Sequence, residues 1–275
     1  MAGTVKARDP LRISSLANPR VKGVVKLRRR PHRDASGLML IEGYREIRRA
    51  VTAGHPLTEL FFCPALFQGS NEPPLIEECR QAGTALRDCS EAVFRKMAYR
   101  DRPEGLLALA PKIHTPLNEL RLPHDALVVV AESIEKPGNL GTILRTADGA
   151  GAHAVLVCDQ RTDVCNPNVV RASIGTLFCV PVVQASRDDT AAWLDRRGLQ
   201  LCATTPHAEM PYSQADLRPA TAIILGTEQY GLSSFWLDRA DIRVRIPMQG
   251  QADSLNVAAA ATILLYEALR QRTTD

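Results

Sequence analysis

The sequence predicts an α/β protein of two domains, of which the C-terminal one is built on a parallel sheet. The chain of 275 residues is longer than one compact domain usually is. Apolar runs alternate with helical patterns, and residues 126–131 are continuously apolar, as expected of a central parallel strand covered on both faces. We therefore expect a first domain over residues 1–113, a proline-containing linker over 114–123 and a second domain over 124–275.

The N-terminal half is predicted to be a small α/β domain that begins with a basic helix. Val21, Val24 and Leu27 recur at helical spacing. The cations around them are the candidate polyanion-binding residues: Arg20, Lys22, Lys26, Arg28, Arg29, Arg30 and Arg33. Further strands are expected over residues 37–41, 60–63, 84–87 and 105–110, with helices over 44–53 and 74–82.

Alternation of strands and helices is clearer in the C-terminal half. Asn166 followed by Pro167 marks a helix start, and Ser254 is a candidate N-cap of the last helix. Strands are expected over residues 126–131, 152–157, 199–204, 221–225 and 244–246. Helices are expected over residues 140–148, from 166 onward and over 255–270. This order of elements favours a parallel sheet.

Charge is distributed unevenly along the chain. Residues 1–115 contain 20 Lys and Arg against 12 Asp and Glu, whereas the remainder contains 14 against 18. Within the first 33 residues the ratio is 10 to 1. Basic clusters of this kind typically bind a phosphate backbone. We therefore expect the N-terminal domain to attract a nucleic acid and the C-terminal domain to serve another purpose.

The composition argues against several other classes of protein. No uninterrupted apolar run reaches the roughly 18 residues that a membrane span needs, and the basic N-terminus lacks the apolar stretch of a secretory signal. The seven cysteines form no C-x-x-C pair, and the six histidines show no ligand spacing. We therefore expect no disulfide framework and no metal site, small buried thiols, and a cytoplasmic location.

Three segments stand out because each follows a predicted strand, where parallel α/β folds place their ligand sites. They cover residues 135–147, 225–233 and 246–258. None of these loops contains a histidine, a cysteine or a pair of carboxylates. Hydrolytic and covalent nucleophilic chemistry is therefore poorly supported.

The residue types in these segments favour binding of an anionic or polar ligand. Asn139 and Arg145 place an amide and a guanidinium near one strand end, where they are able to grip a phosphate or orient a hydroxyl. Gly226 allows the backbone to approach a ligand closely. Ser254 and Asn256 stand at a predicted helix N-terminus, where unpaired amides favour electron-rich groups.

One further pattern, Gly149-Ala-Gly151-Ala-His-Ala154, fits the loose glycine-rich fingerprint of dinucleotide-binding proteins. It lies after a helix and before a strand, which is the reverse of the context that the fingerprint requires. A glycine-terminated helix explains it better, so NAD binding is not expected.

Together the three segments resemble the ordered motifs of the SpoU/TrmH family of RNA 2′-O-ribose methyltransferases, within the SPOUT superfamily. The family patterns read N-x-G-x-x-x-R-T/A, then G-x-E-x-x-G-L/M, then I-P-M-x-G-x-x-x-S-L-N-V, and all three match in order over roughly residues 126–270. Residues 15–22 and 40–43 are similar to the family's N-terminal substrate-binding domain, which itself resembles certain ribosomal proteins.

The resemblance implies a fold, a cofactor and a set of site residues. It implies a deep trefoil knot in the C-terminal domain, S-adenosylmethionine bound in that knot mostly by backbone, and a homodimer. The implied cofactor-binding residues are Thr204, Gly226, Ile246 and Leu255. The implied active-site residues are Asn139, Arg145, Glu228, Ser254 and Asn256.

Chemical roles for these residues follow from the resemblance together with general chemistry. A guanidinium resists deprotonation, so we expect Arg145 to bind the phosphate beside the reacting ribose and to lower the cost of forming the alkoxide. Asn139 and Ser254 are expected to orient the ribose, and Glu228 to fix its loop.

Several functional readings stay open at this point. The leading one is methyl transfer to structured RNA, with large-subunit ribosomal RNA favoured over transfer RNA. The alternatives are a catalytically inactive RNA-binding module and a nucleotide-dependent oxidoreductase. Binding of S-adenosylmethionine, of neither ligand or of NAD would separate the three.

Overall fold

The computed structural model describes residues 11–273. The chain divides into two compact units, one ending at Lys112 and the other beginning at Ile113, and each is described by itself. Leu120, which falls within the predicted linker, is buried in the core of the second unit. Part of the segment between residues 114 and 123 therefore packs as a component of the C-terminal unit.

The N-terminal unit is a five-stranded mixed sheet with helices. Its strands are β1 (Leu11–Ile13), β2 (Leu38–Glu42), β3 (Glu59–Phe62), β4 (Ala85–Cys89) and β5 (Leu106–Pro111). They lie in the order β1-β4-β3-β5-β2, with the first three parallel and the remaining pairs antiparallel. Its helices are α1 (Pro19–Lys26), α2 (Arg30–Ser36), α3 (Tyr44–Thr52), α4 (Glu72–Gln81) and α5 (Glu91–Met97).

The basic segment forms two short helices, so the prediction of a single basic helix is wrong. Asn18 caps α1 by accepting a hydrogen bond from the backbone N–H of Arg20, and α1 ends at Lys26. Pro31 stands in the first turn of α2, where its missing N–H costs nothing. Inside a continuous helix the same proline would remove a hydrogen bond and clash with the preceding turn.

The predicted cations of this segment fall into different environments. On α1, Val21 and Val24 are buried, which leaves Lys22 and Lys26 exposed on the opposite side. The exposed cations of the segment are Lys22, Lys26 and Arg29, together with Arg20, which forms an ion pair with Glu59, and Arg30, which forms one with Asp34. Arg28 is half-buried, and its guanidinium donates to the carbonyl of Lys96 at 2.9 Å.

Arg33 requires a correction, because it was predicted to contact RNA. Its side chain is only 1% exposed, and its guanidinium donates a hydrogen bond of 2.8 Å to the carbonyl of Leu27. This interaction ties α2 to the turn that follows α1. The charge of Arg33 is therefore used inside the domain and is not available to a phosphate group.

The C-terminal unit is a seven-stranded sheet in which every pair of neighbouring strands is parallel, and this predicted fold class is confirmed. Its strands are β6 (Leu127–Glu132), β7 (Ala154–Cys158), β8 (Val182–Ala185), β9 (Gln200–Thr204), β10 (Met210–Pro211), β11 (Thr221–Leu225) and β12 (Ile242–Arg245). Their order is β10-β12-β9-β11-β6-β7-β8. Every residue of β6, β7 and β11 is buried, as expected of strands at the centre of a parallel sheet.

Helices connect these strands, and two of them begin at different residues than expected. They are α6 (Pro137–Gly149), α7 (Pro167–Ser173), α8 (Arg187–Arg197), α9 (Ser234–Arg239) and α10 (Val257–Thr273). Asn166 caps α7, as predicted. α6 already begins at Pro137, whereas α10 begins only at Val257, with the side chain of Asn256 accepting from the backbone N–H of Ala258. The N-cap of α10 is therefore Asn256, and the prediction of Ser254 in that position is wrong.

The prediction of small buried thiols is confirmed for six of the seven cysteines, because only Cys179 is exposed. Burial raises the pKa of the thiols of Cys89, Cys158 and Cys202 to about 12. These side chains therefore pack as neutral groups. Within residues 11–273, no helix combines the length and apolarity that crossing a bilayer requires.

The buried position of Arg33 leads to a prediction about stability. We expect Arg33→Ala to lower the free energy of unfolding by about 2–3 kcal/mol, because the substitution leaves the buried carbonyl of Leu27 without its donor. Urea denaturation of the full chain measures this change. Arg29→Ala removes the same charge from an exposed position and should leave the free energy of unfolding near the wild-type value. Equal stability of the two variants would contradict the structural role of Arg33.

Candidate functional site

The three motif segments meet at one edge of the C-terminal sheet. They follow β6, β11 and β12, whose carboxyl ends lie at the same edge because all neighbouring strands are parallel. The first segment leads into α6, the second forms a tight loop before α9, and the third leads irregularly into α10. The sheet therefore gathers side chains that are more than 100 residues apart in sequence, such as Asn139 and Asn256.

A chain of hydrogen bonds joins one polar side chain from each segment. The Nδ2 of Asn256 donates to the Oδ1 of Asn139 at 3.1 Å. The Nδ2 of Asn139 in turn donates to the carboxylate of Glu228. Three of the five predicted active-site residues are thus brought into direct contact.

The donor and acceptor roles within this series of hydrogen bonds are fixed by the groups at its two ends. The Oδ1 of Asn256 accepts the backbone N–H of Ala258 at 3.0 Å, so its Nδ2 must face Asn139. Asn139 then has to present its oxygen to Asn256 and its nitrogen to Glu228. Because an ionised carboxylate only accepts hydrogen bonds, Glu228 suits the last position. The arrangement supports the predicted role of Glu228 in fixing its loop.

A cleft of about 570 Å³ opens beside this chain, and we call it the cofactor cleft. It is bounded mainly by residues 204–207, 225–232, 244–248 and 253–257. The residues predicted to bind the cofactor all line it: Thr204, Gly226, Ile246 and Leu255. Glu228, Ser254 and Asn256 line it as well. It offers aliphatic side chains together with loop backbone, which fits a ligand that joins a flat heterocycle to polar groups, as S-adenosylmethionine does.

Gly226 permits the tight loop that forms one wall of the cofactor cleft. A Cβ atom at this position would lie 2.2 Å from the carbonyl carbon of Gly231. Thr227 and Gly231 exchange two backbone hydrogen bonds, of 2.9 and 3.1 Å, which close the loop. The residues between Gly226 and Leu232 therefore form a compact wall with no room for a side chain at its base.

The same loop is held at its far end by a buried carboxylate that lies outside the three sequence motifs. Glu132, the last residue of β6, is 4% exposed. It accepts hydrogen bonds from the backbone N–H of Ser233 at 3.0 Å and from the hydroxyl of Ser233 at 2.6 Å. The acidic residue that ends the apolar run of β6 was the only signal for this role in the sequence.

Two predicted active-site residues stand apart from the hydrogen-bonded chain. Arg145 lies six residues beyond Asn139 on α6, is exposed and does not line the cofactor cleft. Ser254 lies on the irregular segment before α10 and is also exposed. Among the described residues, neither side chain has a hydrogen-bond or ion-pair partner. Both are therefore free to contact a substrate.

The glycine-rich pattern that fits the loose dinucleotide-binding fingerprint lies away from this site. Gly149 is the last residue of α6, and Gly151 has a φ of +71° shortly before β7 begins. The turn therefore joins the end of a helix to the amino end of a strand, as the sequence indicated, and it does not line the cofactor cleft. In the described part of the chain, no group of three or more His, Cys, Asp or Glu side chains is placed to hold a metal ion.

The parallel sheet and a cofactor cleft at its carboxyl edge define a class of α/β cofactor-binding enzyme, and comparison with known families specifies which one. The family model described as the SpoU rRNA Methylase family matches residues 126–266. A second one, the MRM3-like substrate binding domain, matches residues 18–108. The chain belongs to the SpoU rRNA methylase family, and the predicted resemblance is confirmed.

Individual relatives are similar over nearly the whole chain. The 23S rRNA (uridine(2479)-2′-O)-methyltransferase of Streptomyces viridochromogenes is 32% identical, over 88% of this chain and 86% of that protein. A crystal structure of an RNA 2′-O ribose methyltransferase is 47% identical, with a TM-score of 0.82 and coverage of 95% and 99%. The AdoMet-bound rRNA methyltransferase from Sinorhizobium meliloti is 30% identical, with a TM-score of 0.87 and coverage of 94% and 97%.

The close backbone approach at Gly226 predicts a loss of cofactor binding on substitution. We expect Gly226→Ala to weaken S-adenosylmethionine binding at least about tenfold, because the added methyl group displaces the wall of the cleft. Calorimetric titration with the cofactor measures this. Gly23→Ala is the matched control, since no atom lies within 4 Å of the added Cβ there. Unchanged affinity in Gly226→Ala would show that the wall yields without affecting the cleft.

Proposed function

We propose that this protein transfers a methyl group from S-adenosylmethionine to a ribose 2′-hydroxyl of large-subunit ribosomal RNA. It is an RNA 2′-O-methyltransferase by family, and S-adenosylmethionine is its cofactor. The observation that carries the proposal is the hydrogen-bonded chain of Asn256, Asn139 and Glu228, of which Asn256 and Glu228 line the cofactor cleft. The relative from Streptomyces viridochromogenes, which modifies a 23S rRNA uridine, favours ribosomal over transfer RNA.

The chemistry requires positioning more than covalent participation by the protein. When bound, S-adenosylmethionine supplies an electrophilic methyl group on a sulfonium. The ribose 2′-oxygen would form a bond to that methyl carbon as the sulfur–carbon bond breaks, with the bonding electrons staying on the sulfur and the hydroxyl proton passing to an acceptor outside the bond. Aligning the two partners supplies a large part of the rate enhancement in such reactions. The residues proposed to hold the cofactor are Thr204, Gly226, Ile246 and Leu255, which line the cleft.

The side chains beside the cleft would hold the RNA. Asn139 and Ser254 are proposed to orient the ribose, and Asn256 to keep Asn139 in its orientation. Glu228 fixes the loop through its contact with Asn139. Arg145, exposed and without a partner among the described residues, is proposed to bind the adjacent phosphate and stabilise the developing negative charge on the 2′-oxygen.

Further parts of the proposal concern the rest of the chain and its assembly. Residues 1–113 would act as the RNA substrate-binding domain through the exposed cations Lys22, Lys26, Arg29 and Arg30. Residues 124–275 would form the methyltransferase domain. A homodimer and a trefoil knot remain predictions from the resemblance, and a cytoplasmic location remains a prediction from the composition. Measuring the mass in solution tests the first of these directly.

Labelling of RNA tests the reaction. We expect tritium from S-adenosylmethionine to enter unmodified ribosomal RNA and not transfer RNA, at one nucleotide whose 3′ linkage resists alkali, because a methylated 2′-oxygen is unable to attack the neighbouring phosphate. Label in transfer RNA alone would contradict the proposed substrate. If the protein binds the cofactor but free ribosomal RNA takes up no label, the experiment is repeated with assembling ribosomal subunits. Absence of label in these subunits as well would contradict the proposed reaction.

The role of Arg145 is tested by separating its charge from its geometry. We expect Arg145→Ala to lower kcat by about 100-fold, the loss typical of removing one donor that stabilises an oxyanion. Arg145→Lys keeps the charge without the planar fork, and its kcat should lie between those of Arg145→Ala and wild type. Cofactor affinity should stay unchanged in both, because Arg145 does not line the cofactor cleft.

Arg196→Ala is the matched control for these variants. It removes an exposed arginine from the last turn of α8, which leads to the amino edge of the sheet. This control should retain wild-type turnover. Wild-type turnover in both Arg145 variants would eliminate a central role for that residue.

A further inference from the structure

A second cleft, also of about 570 Å³, lies at the same edge of the C-terminal sheet, and no step of the proposed reaction uses it. It stands at the carboxyl ends of β6 and β7 and includes Asp159, Arg161 and Arg187. Thr227, Tyr230, Gly231 and Leu232 line both clefts. The loop between Gly226 and Ser233 is therefore a partition with the cofactor cleft on one side and this second cleft on the other.

The partition loop exposes an aromatic side chain to solvent. Tyr230 is 79% exposed, the largest value among the exposed large hydrophobic side chains of the described residues. Its backbone is nevertheless fixed, because its N–H donates to the hydroxyl of Thr227 at 2.9 Å within the closed loop. A flat ring held on a rigid support in water is well suited to stack against another flat group.

Of the two arginines that line the second cleft, one is paired with a carboxylate and the other is not. Asp159 is paired with the guanidinium of Arg187 at 3.8 Å and accepts the backbone N–H of Arg187 at 3.2 Å. The carboxylate of Glu132 is satisfied by Ser233. Arg161 is exposed, and its side chain has no partner within residues 11–273. The cleft therefore has an aromatic surface and an available guanidinium but no unpaired carboxylate to oppose an anion.

The backbone of this cleft is strained at two adjacent strand ends. Ser133 follows β6 with a φ of +50°, and Asp159 follows β7 with a φ of +47°. The described chain contains only one other non-glycine residue with positive φ, Ile174. Residues in this conformation concentrate at binding and active sites, where the surrounding structure holds them in place. Here the hydroxyl of Ser133 donates to the carbonyl of Asp159 at 3.2 Å and joins the two turns.

We propose that the second cleft binds an unpaired nucleotide next to the one that is methylated, with its base stacked on Tyr230 and its phosphate on the guanidinium of Arg161. This inference rests on the proposed function. A nucleotide whose 2′-hydroxyl faces the cofactor cleft is covalently joined to its neighbours, and the partition is the adjoining surface over which the strand continues. Unpaired bases of RNA are commonly held by stacking on aromatic side chains, with arginine on the phosphates.

Equilibrium binding of RNA to four variants of the full chain tests the inference. The probe is an unmodified large-subunit ribosomal RNA transcript, retained on filters in the presence of S-adenosylhomocysteine. We expect Tyr230→Ala to weaken RNA binding about tenfold, as removal of one stacked base does, and Tyr230→Phe to bind like wild type. Arg161→Ala should weaken binding and reduce its salt dependence, whereas Arg196→Ala, the control at the opposite edge, should do neither.

Three further measurements separate this site from its alternatives. Affinity for S-adenosylmethionine should be unchanged in Tyr230→Ala; a parallel loss would place the ring in the cofactor site and overturn the inference. The mass in solution should also be unchanged, because a fall would show that a second copy of the chain covers the cleft. An abasic residue beside the methylated nucleotide should weaken binding to wild type and leave binding to Tyr230→Ala unaltered.

Failure of the inference differs from failure of the proposed function. If wild type labels RNA and Tyr230→Ala has the same KM for RNA, the nucleotide site is refuted and the reaction stands. If wild type binds the cofactor but labels neither RNA nor assembling subunits, the reaction is refuted, and equal RNA binding by wild type and Tyr230→Ala would refute the site as well.

Discussion

The geometry of the site depends on the side-chain amide of Asn139, which bonds to Asn256 with its oxygen and to Glu228 with its nitrogen. Since the oxygen of Asn256 is already engaged by the backbone of α10, neither amide is free to rotate by half a turn without losing a hydrogen bond. Loops that follow three different strands are thereby held in one arrangement. The cost of ordering them is met during folding, so less ordering remains when a substrate binds.

The partition loop is held independently at its two ends, and each attachment explains a residue choice. At its start, the backbone at Gly226 lies so close to Gly231 that only glycine fits. At its end, the buried carboxylate of Glu132 accepts two hydrogen bonds from Ser233, which compensate for its removal from water. The loop is therefore hydrogen-bonded at both ends while the ring of Tyr230 between them stays exposed.

Sequence patterns predicted the parts of the structure that depend on local periodicity or on strand ends. The continuous apolar runs of β6 and β11 placed two central strands to within a residue. The ends of parallel strands indicated the three motif segments, and the family resemblance then supplied Asn139, Glu228 and Asn256 as active-site candidates. Two readable signals were overlooked. Pro31 indicated a new helix within the basic segment, and Ser186 with Gly198 marked the ends of α8.

Other features were not readable, because they depend on distant contacts. Nothing local distinguishes the buried Arg33 from the exposed Arg29, and Tyr230 occupies a position that the family pattern leaves unspecified.

The different environments of the arginines bear on how the reaction handles its proton. The guanidinium of Arg33 is used within the N-terminal domain, and that of Arg187 is used by Asp159. Arg145 is exposed to water, and its side chain has no partner in the described part of the chain, so its charge is available to an anionic ligand. An arginine in that position attracts a phosphate and stabilises negative charge, but it is a poor acceptor for the proton of the 2′-hydroxyl. We therefore propose that Arg145 contributes a fixed positive charge beside the aligned reactants and that the proton passes to a different acceptor.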